Sequence, residues 1–257
     1  MRPTRPLVAA IALAALVTSA ACGGGSEPAA PAPAPPAVDP AVAASVQGTV
    51  RLEGTPPAPV ALRLDGDPKC VEILAGAPQM SQTHVVGPDG GLANVFVYVR
   101  EGDALRRHAF PIPSEPVVLD QDRCWYLPRV VGVRVGQALE VRNSDPLLHN
   151  VRASAEINQG FNIGQPVQGM RNIHTFTTRE VMVPFRCDVH AWMNAWVGVL
   201  DHPFFAVTAV DGRFTLDGLP PGTYTLEAWH EALGTSTEVV TLEAGARQDL
   251  TFTFTVP

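Results

Sequence analysis

Four side chains of this sequence have the types and spacing to hold one soft metal ion. Cys187 is followed three positions later by His190 and six positions later by Met193, and a second histidine, His149, lies upstream. One thiolate, two imidazoles and a thioether are the donors of a mononuclear blue-copper site, in which the thioether is a weak axial ligand. The sequence therefore predicts one type 1 copper ion bound by these four residues.

The same residues have a simpler interpretation as parts of a protein core. Cys187 could be a plain buried cysteine, and Met193 could fill space between apolar neighbours. The order and spacing of all four donors favour the metal site. We expect His149 at the end of one strand and Cys187 just after another, so that one rigid scaffold holds both segments.

Strands are the elements that must position these ligands. Charged residues make up only 17% of the 257 residues, and the 25 prolines and 22 glycines argue against a coiled coil or a helix-rich protein. Alternating or β-rich patterns between turn signals predict ten strands, at residues 45–52, 95–99, 130–135, 139–142, 180–185, 195–200, 214–216, 224–229, 237–242 and 250–256. The predicted fold class is all-β, and the length suits two β-sandwiches better than one.

Residues 116–201 resemble the cupredoxins, and amicyanin and pseudoazurin most closely. Beyond the four ligands, the resemblance rests on the following residues: Tyr126-Leu127-Pro128, Val135-Gly136, Val141, Asn143 and Asn150-Val151. The spacing Cys-x2-His-x2-Met is that of amicyanin. The resemblance implies a Greek-key β-sandwich whose copper ligands are His149, Cys187, His190 and Met193. It also implies that Asn150 ties the two ligand segments together by hydrogen bonds.

A second resemblance covers the C-terminal part of the chain. Residues 205–226, with Asp211-Gly212 and Pro220-Pro221-Gly222 at turns, resemble a carboxypeptidase regulatory-like, or prealbumin-like, β-sandwich. Residues 47–50 and 91–97 fit the first strands of that family. We therefore expect residues 46–110 and 202–257 to form one discontinuous sandwich, with the cupredoxin domain at 111–201 inserted in it. The whole arrangement resembles exported bacterial proteins of the methylamine-utilisation-like group.

The N-terminus predicts export. Arg2 and Arg5 precede an apolar stretch at 7–17, and small residues then lead to Cys22. This pattern is typical of a signal peptide, here 1–21. The small residues before Cys22 resemble a bacterial lipoprotein cleavage site, although ordinary secretion is the alternative. Residues 22–45 are rich in Pro and Ala and predict a disordered tether.

Export places the remaining cysteines in an oxidising compartment, where two leftover thiols usually pair. Cys70 and Cys124 are therefore predicted to form a disulfide, with a second soft-metal site that includes a histidine as the alternative. His202 and His230 could also bind a metal but are more typical of turns and domain contacts.

These features predict a lipid-anchored electron-transfer protein that faces the periplasm or the cell exterior. Electrons would pass through the exposed edge of His190, with Ala191 and Trp192 in the surrounding docking patch. A redox protein such as a cytochrome or a dehydrogenase is the expected partner. The alternative is a copper carrier or sensor without turnover. We do not expect an enzyme, because no His-x-His pair supplies a second copper site, and the net charge of -7 makes nucleic-acid binding improbable.

Overall fold

The computed structural model describes residues 35–64 and 66–256. The predicted signal peptide, the predicted lipidation site Cys22 and most of the predicted tether lie outside these ranges. The last residues of the predicted tether lie within the described range. The carbonyl of Pro36 accepts a hydrogen bond of 2.9 Å from the Ala109 N–H, and the first strand begins at Ala44.

Sixteen strands lie in the described part of the chain, and every one of the ten predicted segments overlaps one of them. Their bounds are β1 Ala44–Glu53, β2 Phe96–Gly102, β3 Val117–Asp122, β4 Trp125–Leu127, β5 Val130–Arg134, β6 Ala138–Asn143, β7 His149–Ala153, β8 Phe161–Gln165, β9 Arg171–Thr175, β10 Glu180–Arg186, β11 Asn194–Leu200, β12 Phe205–Val207, β13 Arg213–Leu219, β14 Gly222–His230, β15 Gly234–Leu242 and β16 Arg247–Thr255. The short helix α1 spans Pro68–Ile73, and a 3-10 helix spans Asp103–Arg107. The all-β fold class is confirmed.

The first sandwich combines strands from both ends of the described chain. One sheet has the order β13-β1-β16 and the other has the order β12-β2-β14-β15. β1 runs antiparallel to β13 and parallel to β16, whereas β2 runs antiparallel to β12 and β14. Alternate side chains of these strands, including Val50, Val97, Leu226 and Phe252, meet in one apolar core.

The second sandwich uses only strands between β2 and β12. Its sheets have the orders β5-β11-β10-β7-β8 and β4-β3-β6-β9. A separate core forms between them from residues such as Leu119, Val141, Phe185 and Val197. A third cluster, which includes Phe96, Val130 and Leu200, joins the two sandwiches. The exact domain boundaries stay a prediction.

Three neighbouring strands of the larger sheet bring together the segments that carry the candidate ligands. β10 pairs with both β7 and β11, so the start of β7 and the loop between β10 and β11 lie at the same end of the sheet. Within the described residues, no helix is long and apolar enough to cross a membrane.

Candidate metal centre

The structure brings three of the four predicted ligands together around one point. One side-chain donor atom from each of His149, Cys187 and His190 lies within 4.8 Å of the other two, and all three residues are buried. The Nδ1 atoms of the two histidines are 3.0 Å apart, and the Cys187 Sγ is 3.7 Å from the His190 Nδ1. His149 is the first residue of β7 and so lies at one end of that strand.

Met193, the fourth predicted ligand, closes the loop between β10 and β11. Its backbone N–H donates to the His190 carbonyl at 2.9 Å, and its carbonyl accepts from the Cys187 N–H at 3.2 Å. The side chain is fully buried and belongs to the same apolar cluster as Cys187. These backbone bonds fold the six-residue spacing into a compact turn that points both Cys187 and His190 inward.

Two carboxylates that the sequence analysis missed hold the outer nitrogens of the histidines. The His149 Nε2 lies 2.8 Å from the Asp145 Oδ2, and the His190 Nε2 lies 2.9 Å from the Asp67 Oδ2. A carboxylate accepts only, so each neutral ring places its proton on Nε2 and leaves the Nδ1 lone pair directed at the other ring. Asp145 lies four positions before His149 in the sequence, which only weakly indicates a contact between the two. Asp67 is distant from His190 in the sequence.

Burial and hydrogen bonding have opposite effects on the pKa values in this cluster. Burial alone would lower the pKa of His149 and of His190, but the carboxylates and the Cys187 thiol outweigh it and raise both. Burial would raise the pKa of Cys187, but hydrogen bonds from both histidines, when their rings are also protonated on Nδ1, and from the Asn150 N–H lower it to about 6. The surroundings of Cys187 therefore favour its thiolate form, in spite of burial.

Asn150 lies between the two ligand segments, where the resemblance placed it. Its N–H points at the Cys187 Sγ, 3.4 Å away, and its Oδ1 accepts from the Asp188 N–H at 3.1 Å. The Tyr126 hydroxyl donates to the Asn150 carbonyl at 2.5 Å from the opposite sheet. Backbone and side chain of one residue therefore fix β7 against the ligand loop.

The predicted exposed edge of His190 is absent. His190 is only 1% exposed, and Asp67 lies against its Nε2. Electron transfer through this residue stays a prediction. Of the predicted docking patch, Ala191 is exposed and Trp192 is half-buried. The Trp192 Nε1–H donates to the Cys124 carbonyl at 3.0 Å, and the indole packs 5.1 Å from the His190 ring.

Cys70 and Cys124 form a disulfide beside the site. The Cys70 sulfur lies within 4.8 Å of ligand atoms of Asp67 and His190, and the Cys124 sulfur lies equally near Asp145 and His149. As long as the two sulfurs are bonded to each other, they cannot act as thiolate ligands. The disulfide therefore adjoins both carboxylate–histidine pairs without contributing to the donor set.

His202 and His230 lie away from this cluster in the described structure. Both are buried, and the His202 Nε2–H donates to the Val99 carbonyl at 2.9 Å while its Nδ1 accepts from the Phe204 N–H at 3.2 Å. With both ring nitrogens committed to the backbone, His202 has a structural role.

Comparisons with known proteins give one family match and several similar solved structures. A family model described as carboxypeptidase regulatory-like domain matches residues 194–255. No curated protein sequence matches the chain. Similar solved structures include amicyanin from Paracoccus versutus, which is 20% identical, covers 40% of this chain and 96% of its own, and has a TM-score of 0.29. A purple cupredoxin from Nitrosopumilus maritimus is 20% identical over 34% of this chain and 99% of its own, with a TM-score of 0.28.

A copper-containing nitrite reductase from Thermus scotoductus is also similar, with 21% identity over 39% of this chain and a TM-score of 0.32. The match spans about a quarter of that enzyme, 27% of its chain.

Proposed function

We propose that this protein binds one type 1 copper ion at His149, Cys187, His190 and Met193 and transfers electrons outside the cytoplasm. The observation that carries the proposal is the convergence of one thiol and two imidazole Nδ1 atoms within 4.8 Å in a buried site. A thiolate with two imidazoles and a weak thioether is the donor set that copper uses for electron transfer.

The electrostatics of the described residues fit a cation at this point. Both Nε2 atoms donate to carboxylates, so the two Nδ1 lone pairs face each other at 3.0 Å beside the Cys187 thiolate. Three electron-rich atoms at this distance repel one another unless a proton or a metal ion lies between them. The raised pKa values of both histidines show that the cluster favours positive charge.

In this proposal, the residues around the ligands hold them in a fixed geometry. Copper, when bound, supplies one-electron exchange between Cu(I) and Cu(II). Asp145 holds the His149 ring, and Asn150 and the loop backbone hold Cys187 in place. Because a rigid sandwich carries all of these groups, the ligands need little rearrangement when the charge of the site changes.

The remaining predictions belong to the same proposal. The signal peptide and Cys22 would give a lipid anchor on a bacterial membrane, facing the periplasm or the exterior. A redox protein such as a cytochrome or a dehydrogenase would dock near Ala191 and Trp192. The chain would act as a carrier of electrons, without a catalytic reaction of its own.

One observation favours a second candidate, a copper carrier or sensor without electron-transfer turnover. His190 is covered by Asp67 and is only 1% exposed. A buried ligand slows electron transfer, because a redox partner cannot touch it directly. A protein that only stores copper does not need such contact.

The visible spectrum of the full chain in detergent, loaded with Cu(II), distinguishes the candidates. An intense thiolate-to-copper band that is lost in Cys187→Ser supports the type 1 site, and Met193→Leu should retain the band with a changed potential. A colourless protein that binds only Cu(I) supports the carrier. If no copper binds, or if Cys187→Ser leaves the spectrum unchanged, the metal assignment is wrong.

A separate measurement tests the predicted location. The native chain should fractionate with bacterial membranes and label with a fatty-acid probe, whereas Cys22→Ser should do neither. Equal fractionation of the two would contradict the lipid anchor.

A further inference from the structure

The outer edge of His190 is sealed by a residue more than a hundred positions away in sequence. The Asp67 Oδ2 lies 2.9 Å from the His190 Nε2, and this separation spans 123 residues. We propose that Asp67 is a positioning residue of the metal centre. It accepts a hydrogen bond from the His190 Nε2–H, directs Nδ1 towards Cys187 and shields the ring from solvent. The role of Asp67 towards bound metal rests on the proposed function, whereas its effect on the ring does not.

The Asp67 carboxylate also makes a hydrogen bond within its own helix, independently of its contact with His190. Asp67 is the N-cap of helix α1, and its Oδ1 accepts the Lys69 N–H at 2.9 Å. One oxygen is thus tied to the helix and the other faces the ring. The Asp67 side chain is 25% exposed, so it forms the outer wall of an otherwise buried cluster.

The disulfide fixes this helix over the site. Cys70, in α1, is bonded to Cys124, and both sulfurs pack with Leu147 in a small buried cluster that Trp192 also touches. The helix has only six residues, and such a short helix is marginal in water without tertiary support. We infer that the Cys70–Cys124 bond supplies that support and so keeps Asp67 in contact with the ring.

The same disulfide also adjoins the carboxylate of the other histidine. The Cys124 N–H donates to the Asp145 Oδ2 at 2.8 Å, and this oxygen also accepts from His149. The two carboxylate–histidine pairs are thereby linked through one covalent bond outside the donor set. Supporting carboxylates of this kind fix the ring tautomer and increase the basicity of the nitrogen that binds metal.

The decisive experiment uses the copper-free full chain. Ring 15N NMR, at a pH where the imidazoles are neutral, should show His190 as the Nε2–H tautomer in the native protein and as a mixture in Asp67→Ala. Diethylpyrocarbonate, which acylates accessible imidazoles, should modify His190 faster in Asp67→Ala. Asp67→Asn, which keeps an acceptor oxygen, should largely restore the native tautomer. Glu72→Ala, at an exposed residue of the same helix, is the matched control and should change neither readout.

Copper binding gives a second readout. Asp67→Ala should bind copper about 10–100-fold more weakly than the native chain, the usual cost of removing a supporting residue. If His190 has the same tautomer and the same protection in Asp67→Ala as in the native chain, the proposal is overturned whatever copper does. If the tautomer shifts but the native chain binds no copper, Asp67 positions the ring and it is the proposed function that fails.

The role of the disulfide is tested in the double variant Cys70→Ser/Cys124→Ser, with circular dichroism to establish that the sandwiches are intact. With Asp67 still present, His190 should become as reactive as in Asp67→Ala. Native protection of His190 in a folded double variant would overturn the inference that the disulfide holds Asp67 in place.

Discussion

The protein buries two pairs of histidines, and the pairs behave in opposite ways. His149 and His190 at the candidate metal centre, and His202 and His230 in and beside the first sandwich, are all at most 2% exposed. Burial lowers the pKa of His202 and of His230 to about 4. In the first pair the pKa values are raised despite burial. Depth alone therefore does not decide the charge of a buried imidazole.

Between the first pair and His202, the difference lies in the hydrogen-bond partners of the ring nitrogens. His149 and His190 donate to carboxylates and keep Nδ1 free beside a thiol. His202 uses both nitrogens on backbone groups and has no lone pair left for a metal ion. A buried histidine is thus a candidate ligand when a carboxylate accepts a hydrogen bond from its outer N–H. It is a structural residue when backbone groups bond both ring nitrogens.

The largest effect should follow from removing the buried carboxylate of the first pair. Asp145→Ala leaves His149 Nε2 and the N–H groups of Arg123 and Cys124 without their acceptor. We expect the free energy of unfolding of the copper-free chain to fall by about 3–5 kcal/mol. Denaturant unfolding measures this.

The control for that variant is Asp217→Ala, at an exposed position of β13, which should change the unfolding free energy by less than about 0.5 kcal/mol. A loss below about 1 kcal/mol in Asp145→Ala, or an unchanged His149 ring signal, would show that the carboxylate does not set the behaviour of the first pair.

A smaller effect should appear in the pH dependence of the second pair. The folded-state pKa of His202, about 4, lies below the ordinary value of 6.5. The unfolded chain therefore takes up the proton first, and stability is full above pH 6.5 and falls as the pH drops towards 4. From pH 7 to pH 5 this one group should cost about 2 kcal/mol of unfolding free energy.

His202→Gln tests this point, because an amide can still donate to the Val99 carbonyl but does not titrate. The variant should lose about 2 kcal/mol less than the native chain between pH 7 and pH 5, even if it starts less stable. Gln248→Ala, at an exposed position of β16 that does not titrate, serves as the control and should keep the native slope. Identical slopes in all three proteins would mean that His202 does not resist protonation.

Much of the scaffold could be predicted from local patterns, because alternation and turn residues act over a few positions. The predicted strands at 180–185 and 195–200 became β10 and β11, which flank the ligand loop. β8 and β9 are among the strands that were missed, because each has only five residues and their only large apolar residues are Phe161, Ile163 and Ile173. Helix α1 was missed because six residues are too few for a helical period.

The ligands could be proposed from sequence because three of them lie within seven residues, whereas their supporting groups could not. Asp67 and His190 are 123 residues apart in the sequence and come into contact only in the folded protein. No residue near Asp67 in the sequence identifies it as part of a site. The error about the exposed edge of His190 has the same origin. The resemblance to the cupredoxins covers only residues 116–201. It could therefore not predict that Asp67, which lies outside this range, covers the His190 ring.

The smallest effect should come from the acidic residue nearest the thiol in sequence. Asp188 follows Cys187 directly, yet its side chain turns outward to Arg152, 3.4 Å away, and is 43% exposed. If only carboxylates that touch a ring nitrogen matter, Asp188→Asn should change the unfolding free energy by less than about 0.5 kcal/mol, as for an exposed ion pair. The ring signals of His149 and His190 should stay in place. A shift as large as that in Asp145→Ala would mean that negative charge near the cluster, rather than a direct hydrogen bond, sets the first pair apart from the second.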